Sequence, residues 1–202
     1  MKKLLTLLSI LLFALQLQAQ DLVLLSQIKA TNGKVKSFES DLNNTMVRPK
    51  KTETQYGTLY FVKPDEFSAL FTNGKFMTVN AKKIKMDLGL FHGTFKMRDG
   101  GMMQSLAHIF LYGFQGRIQN LANETGYSLT TKTEGEFHVI TANIIKKKKL
   151  IGIGYKTVVF KYYTDTLLLK EIVLYDYSGN QDSYIISNVK YDVPIDKKMF
   201  QF

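Results

Sequence analysis

From Ser37 onward the chain is a succession of short runs in which apolar and polar residues alternate, each closed by a turn-forming pair. The runs are Ser37–Val47, Gln55–Val62, Glu66–Phe71, Lys75–Asn80 and Lys82–Leu88, separated by Arg48-Pro49, Lys63-Pro64, Asn73-Gly74 and Asn80-Ala81. A side-chain period of two matches a half-buried strand, and turns this closely spaced join antiparallel neighbours. After a break in the middle the pattern resumes at Tyr127–Thr133, Glu136–Asn143, Tyr155–Tyr163, Leu167–Tyr175 and Ser183–Tyr191, with Asp176-Tyr177-Ser178-Gly179-Asn180 as a hairpin turn. The spacing predicts a mainly β, antiparallel meander. Aromatic residues, 12% of the chain and all Phe or Tyr, suit such an interior.

The break has a different period. Asp99-Gly100-Gly101 leads into Met102, Met103, Leu106, Ala107, Ile109, Phe110, Leu111 and Phe114, then Gly116 and a polar helical stretch to Glu124. One or two helices are expected, the first apolar around more than half its circumference, so that it is buried or sits over something apolar. Gly100-Gly101 reads as the plain start of that helix or as a hinge for it. Upstream, Leu22, Leu25 and Ile28 repeat at helical spacing and Asn32-Gly33 supplies a stop, predicting an amphipathic helix over 21–31 that covers one face of the sheet.

The first 19 residues are set apart. Lys2 and Lys3 form a positive start, Leu4 to Leu15 an apolar run of about a dozen residues, and Leu17-Gln18-Ala19 a cleavage site of small-residue type. The run is shorter than the roughly 20 residues of a membrane span. Residues 1–19 therefore read as a secretory signal peptide and 20–202 as one domain. With no Cys in the chain there is neither a lipidation site at the mature N-terminus nor a disulfide, and the expected location is the periplasm. Loss of Lys2 and Lys3 lowers the formal charge from +10 to +8. A basic exported protein meets anionic lipid, acidic glycan or an acidic partner rather than nucleic acid. Lys146–Lys149 form a solvated loop or strand end, or touch an anionic membrane surface, where each basic residue adds about 1 kcal/mol.

Catalytic signatures do not emerge. His92, His108 and His138 are scattered without metal-ligand spacing, and Asp41, Asp87, Glu171 and Asp176 lie on strands or turns with no paired-carboxylate pattern. Gly152-Ile153-Gly154 is too short for a phosphate-binding loop. The expectation is a protein that is not an enzyme and takes no cofactor or metal.

One segment carries a family likeness. Gly57-Thr58-Leu59-Tyr60-Phe61-Val62-Lys63-Pro64-Asp65-Glu66-Phe67 resembles the Gly-x-Leu-x-x-x-Arg/Lys-Pro-x-x-Phe segment of the periplasmic outer-membrane lipoprotein carriers, the LolA family. Ile28 with Val35–Leu42 resembles that family's first helix and strand. The run Leu174-Tyr175-Asp176, Gly179-Asn180, Ile186–Val189 and Ile195–Phe202 is similar to its end. The resemblance implies an unclosed antiparallel half-barrel of roughly eleven strands, with an N-terminal helix and a central helical insertion lying across the concave face as a lid. It implies a monomeric carrier that shelters the acyl chains of lipoproteins, or of other amphiphilic lipids, between sheet and lid. Its partners would be an inner-membrane donor transporter and an outer-membrane acceptor. Where proteobacterial members use Arg to tie the lid to the sheet this chain has Lys63, which keeps the charge but not the planar fork, so the latch is expected to be weaker. No extra C-terminal strand of the kind some members carry follows before Phe202, which is an expectation against transporter coupling of the usual kind.

The residues suit such a site chemically. A saturated chain of about fifteen methylenes needs roughly 12 kcal/mol of apolar shelter outside a membrane. The expected lining is Leu59, Phe61, Phe67, Phe71 and Met77 on the sheet, facing Met102, Met103, Leu106, Phe110 and Leu111 on the helix, with the methionines adapting to tails of different length. The same residues also suit an ordinary core, because alternation fixes faces only relative to each other. Lys63 is either a latch, a headgroup contact or a solvated strand-end lysine. A continuous apolar cavity favours the carrier. A packed interior favours the alternative, a non-enzymatic scaffold module whose basic surface binds an anionic cell-envelope component.

Overall fold

A computed structural model describes residues 21–81, 83–88, 92–97, 102–144 and 154–201. The strands are β1 (Ser37–Arg48), β2 (Lys51–Val62), β3 (Glu66–Phe71), β4 (Phe76–Asn80), β5 (Lys83–Asp87), β6 (His92–Lys96), β7 (Tyr127–Glu134), β8 (Phe137–Ile144), β9 (Tyr155–Tyr163), β10 (Leu169–Asp176) and β11 (Gln181–Tyr191). They form one antiparallel sheet in the order β6-β5-β4-β3-β2-β1-β11-β10-β9-β8-β7, left unclosed between β6 and β7. Helix α1 covers 21–32 of the described residues, and α2 (Met102–Gln115) and α3 (Gln119–Thr125) fill the break between β6 and β7. The expected signal peptide, Gly100-Gly101 and Lys146–Lys149 lie outside the described residues.

Three features depart from the sequence pattern. Strand β6, His-Gly-Thr-Phe-Lys, carries one partly buried apolar residue and so shows no alternation to read. Strand β2 starts four residues early because Pro49-Lys50 makes a tight turn, and Arg48 pairs directly with Lys51. A short 3-10 turn, Lys197–Phe200, closes the described chain, capped by the Asp196 carboxylate accepting from the Lys198 amide at 2.9 Å.

Register places the large side chains in rows across an inner face. One row runs Phe38, Phe61, Phe67, Val79, Ile84, Phe95 from β1 to β6, and the next Ser40, Leu59, Ala69, Met77, Met86. On the other half, Tyr184, Ile172, Phe160 and Ile140 form one row and Asp182, Leu174, Val158 and Ala142 the next. This face holds the main hydrophobic core, and all three helices contribute to it. The outer face is covered more locally. After β11 the chain crosses β1, with Ser37 Oγ donating to the Val193 carbonyl at 2.6 Å, and buries Phe200 where Asn80 donates to its carbonyl at 3.0 Å.

Candidate functional site

Helix α2 lies on the inner face and its side chains fill the space above it. Phe114 packs against Phe38, Phe61 and Phe67 with ring centroids at 5.4, 5.4 and 5.6 Å; one turn earlier Phe110 meets Phe67 at 5.5 Å and the Tyr184 ring edge-on at 4.9 Å. At Gly113 the helix backbone comes so close to β9 and β10 that a Cβ there would stand 2.9 Å from Ile172 and 3.0 Å from Phe160. The buried Tyr162 hydroxyl donates to the Gly113 carbonyl at 2.6 Å. Gly116 ends the helix in the left-handed region, φ +65°, and the Arg117 amide reaches back to the Tyr112 carbonyl at 2.8 Å. A Cβ at Gly116 would be 2.6 Å from the Ile28 carbonyl, so α1 crosses directly over this end of α2.

The residues expected to line an acyl site gather here. Phe61 lies beside Phe67, Leu59 joins Met77 through Ala69, and Phe71 follows one row on, opposite Gly57. These five, with Phe110 and Leu111, are buried in the main core. Met103 and Leu106, in the first half of α2, are half-buried against it. Of Met102 only the backbone is described. Between the described residues the interface is filled rather than hollow. A crevice of about 10 Å³ beside Phe38, Phe114 and Ile186 has room for one water, not for an acyl chain. Among the described residues the interface between α2 and the sheet is therefore packed.

Lys63 ties a helix to the sheet, and that helix is α1. Its ammonium donates to the Gly33 carbonyl, at the end of α1, and not to α2. Burial pulls the ammonium below the ordinary lysine value, with the Asp192 carboxylate pulling the other way. The tie from α2 to this hairpin comes one residue later, where Gln115 Nε2 donates to the Pro64 carbonyl at 2.7 Å. Asn32, which the sequence offered only as a stop signal, is buried and fastens α1 to the β9–β10 turn by donating to the Leu167 carbonyl at 2.8 Å.

The far end of the inner face is polar. Asn73 donates to Gln55 at 2.9 Å, Gln55 to Asn44 at 2.8 Å, and Asn44 to the Ser183 carbonyl at 3.0 Å, a ladder from the β3–β4 turn across β2 and β1 to β11. Beside it the Arg48 guanidinium stands 2.7 Å from the Asp182 carboxylate. Burial pushes the Asp182 carboxyl above the ordinary range, partly countered by Arg48. Sequence reasoning passed over this cluster, because polar residues at inward positions break the alternation that marks a strand. Ser40 Oγ, in the middle of the same face, is buried without a hydrogen-bond partner.

The acidic residues and two of the histidines noted in the sequence have local bonds. Asp41 accepts from Asn188 at 2.6 Å, Glu171 pairs with Lys161 at 2.7 Å, and Asp176 caps its hairpin turn. His108 lies 3.2 Å from the Tyr112 hydroxyl and His138 3.0 Å from the Thr133 hydroxyl. Among the described residues no three His, Asp or Glu side chains converge as a metal site would require.

No family model and no curated protein matches the chain in sequence. Solved structures do match in fold. An uncharacterized conserved protein from Thermus thermophilus is 9% identical with a TM-score of 0.50, over 92% of this chain and 94% of that one. A DUF1329 family protein from Desulfovibrio piger is 15% identical with a TM-score of 0.47, over 88% and 94%. A LolA superfamily protein from Nitrosomonas europaea is 9% identical with a TM-score of 0.44, over 89% and 96%.

Proposed function

We propose that the chain is an exported, periplasmic binding module that takes up acyl chains non-covalently between α2 and the inner face of its sheet, as a carrier of lipoproteins or related amphiphiles. The observation that carries this reading is the way α2 is held. Its first half is only half-buried, while Tyr162, Gln115 and the close contacts at Gly113 and Gly116 fasten its last turns. Between these points Phe110 and Leu111 meet the sheet by apolar packing, which has no direction and is exchangeable for another apolar surface. Lifting Phe110 and Leu111 costs about 3–6 kcal/mol at 1.5–3 kcal/mol each, against roughly 12 kcal/mol for sheltering one fifteen-methylene chain. A ligand of that size therefore offsets the displacement. The closed, packed state is then the empty carrier, and the helix swings from its C-terminal end.

The lipoprotein motifs favour an acylated protein as cargo, passed from an inner-membrane donor to an outer-membrane acceptor. The packed interface is the specific observation for a second reading, a scaffold that binds an anionic envelope component at its surface. Native mass spectrometry of the chain, exported and purified without detergent, separates the two. Co-purified acylated species near one per chain, lost in Phe110→Asp, support the carrier. A bare protein mass, with no uptake of added acylated peptide, overturns it in favour of the scaffold.

A further inference from the structure

The polar end of the inner face contains hydrogen-bonding groups that the fold itself does not use. The hydroxyls of Tyr155 and Tyr184 donate to no described residue, and both side chains are half-buried against the core. Asp182 Oδ1 is shut off from solvent and has Arg48 Nη2 at 2.7 Å, but no aligned hydrogen bond. Arg48, about a third exposed, also donates to the Val47 and Gln181 carbonyls at 3.1 Å, which hold its guanidinium at the rim. Hydroxyl donors that the fold leaves without a protein acceptor are available to a ligand that supplies one.

Three facts say what that partner is. Donors outnumber acceptors, because Arg48 and two phenols face one carboxylate that is already paired. Burial raises both phenols above their ordinary value, so they stay protonated and donate. Tyr184 lies directly under Phe110 of α2, and its row continues through Ile172 and Phe160, so a head bound here places its tail on the apolar rows beneath the helix.

We propose that Arg48, Tyr155 and Tyr184 form a headgroup subsite for an oxyanion carried on an acyl chain, either a carboxylate or a phosphate. Asp182 positions the Arg48 fork and yields it when the oxyanion arrives. This rests on the acyl-binding reading above.

The test is equilibrium binding of three probes, palmitate, 1-palmitoyl lysophosphatidate and the uncharged 1-monopalmitoylglycerol, to the mature chain, Arg48→Gln and the double variant Tyr155→Phe/Tyr184→Phe. The subsite predicts that one or both anionic probes bind at least tenfold more tightly than the glyceride, as charge-assisted hydrogen bonds allow. Each variant reduces that preference fivefold or more. Tighter palmitate assigns a carboxylate head and tighter lysophosphatidate a phosphate. Equal binding of all three probes, or variants that weaken all three alike, overturns the subsite while the acyl reading stands. Should none of the probes bind, the acyl reading and the subsite fall together. The phenol-to-phenylalanine variant keeps the test open if Arg48→Gln does not fold.

Discussion

The hydroxyl of Tyr162, on β9, donates to the carbonyl of Gly113, on α2, at 2.6 Å inside the core. It is a buried polar bond between sheet and helix at the point where a glycine lets the two backbones approach. Tyr162→Phe removes the donor and leaves the carbonyl with only the Gly116 amide at 3.2 Å. The expected cost is about 1–3 kcal/mol, seen in denaturant unfolding, with faster amide hydrogen exchange along α2 than in the sheet.

Gly116 is constrained twice, by its left-handed φ and by the Ile28 carbonyl beside it. Gly116→Ala meets both the left-handed penalty and the close contact, so a loss of about 2 kcal/mol or more is expected. Gly126 and Gly179 are also left-handed, but open space surrounds them. Alanine there costs about 1 kcal/mol, the conformational part alone, and thermal melting of the three variants separates the two contributions.

Lys63 and Gln115 fasten different helices to one hairpin. Lys63→Met is expected to open 21–33 to limited proteolysis while leaving α2 protected, and Gln115→Ala to do the reverse. Loosening of α2 in Lys63→Met would instead make Lys63 a tie for the helical insertion.

Much of this arrangement was legible in the sequence, because strand period and turn pairs are local signals. They located ten of the eleven strands, and the apolar run at Met102–Phe114 marked α2. Strand β6 escaped because its outer position at the sheet edge leaves it almost nothing to bury. The lining residues could be grouped on one face, but the sequence did not say whether that face was hollow or filled. That depends on how close α2 comes, which Gly113 and Tyr162 decide from positions with no periodic signature. The Lys63 partner was not legible for a related reason: a motif identifies a charged strand end, not the helix that ends nearest to it.

High pH probes the same core. Burial pushes Tyr127 up to about 12, with a smaller push from Tyr177, and Tyr191 likewise to about 12, with a smaller push from Tyr163. Tyr155 and Tyr184 rise too. An unfolded phenol ionises near pH 10, so each buried phenol contributes stability that is fully present below about pH 10 and is lost as pH rises toward 12. Tyr191, 36% exposed, contributes least. Absorbance at 295 nm is expected to show tyrosine ionisation coincident with unfolding in that window, not a simple titration centred at 10.

The chain contains no tryptophan, so Phe110→Trp places a single emitter between α2 and the sheet. Titrating this variant with stearate carrying a nitroxide at mid-chain measures whether an acyl chain enters that interface. A carrier gives saturable quenching near one ligand per chain that unlabelled stearate reverses. Unchanged emission at saturating probe, with the variant folded, would contradict an acyl site beneath α2.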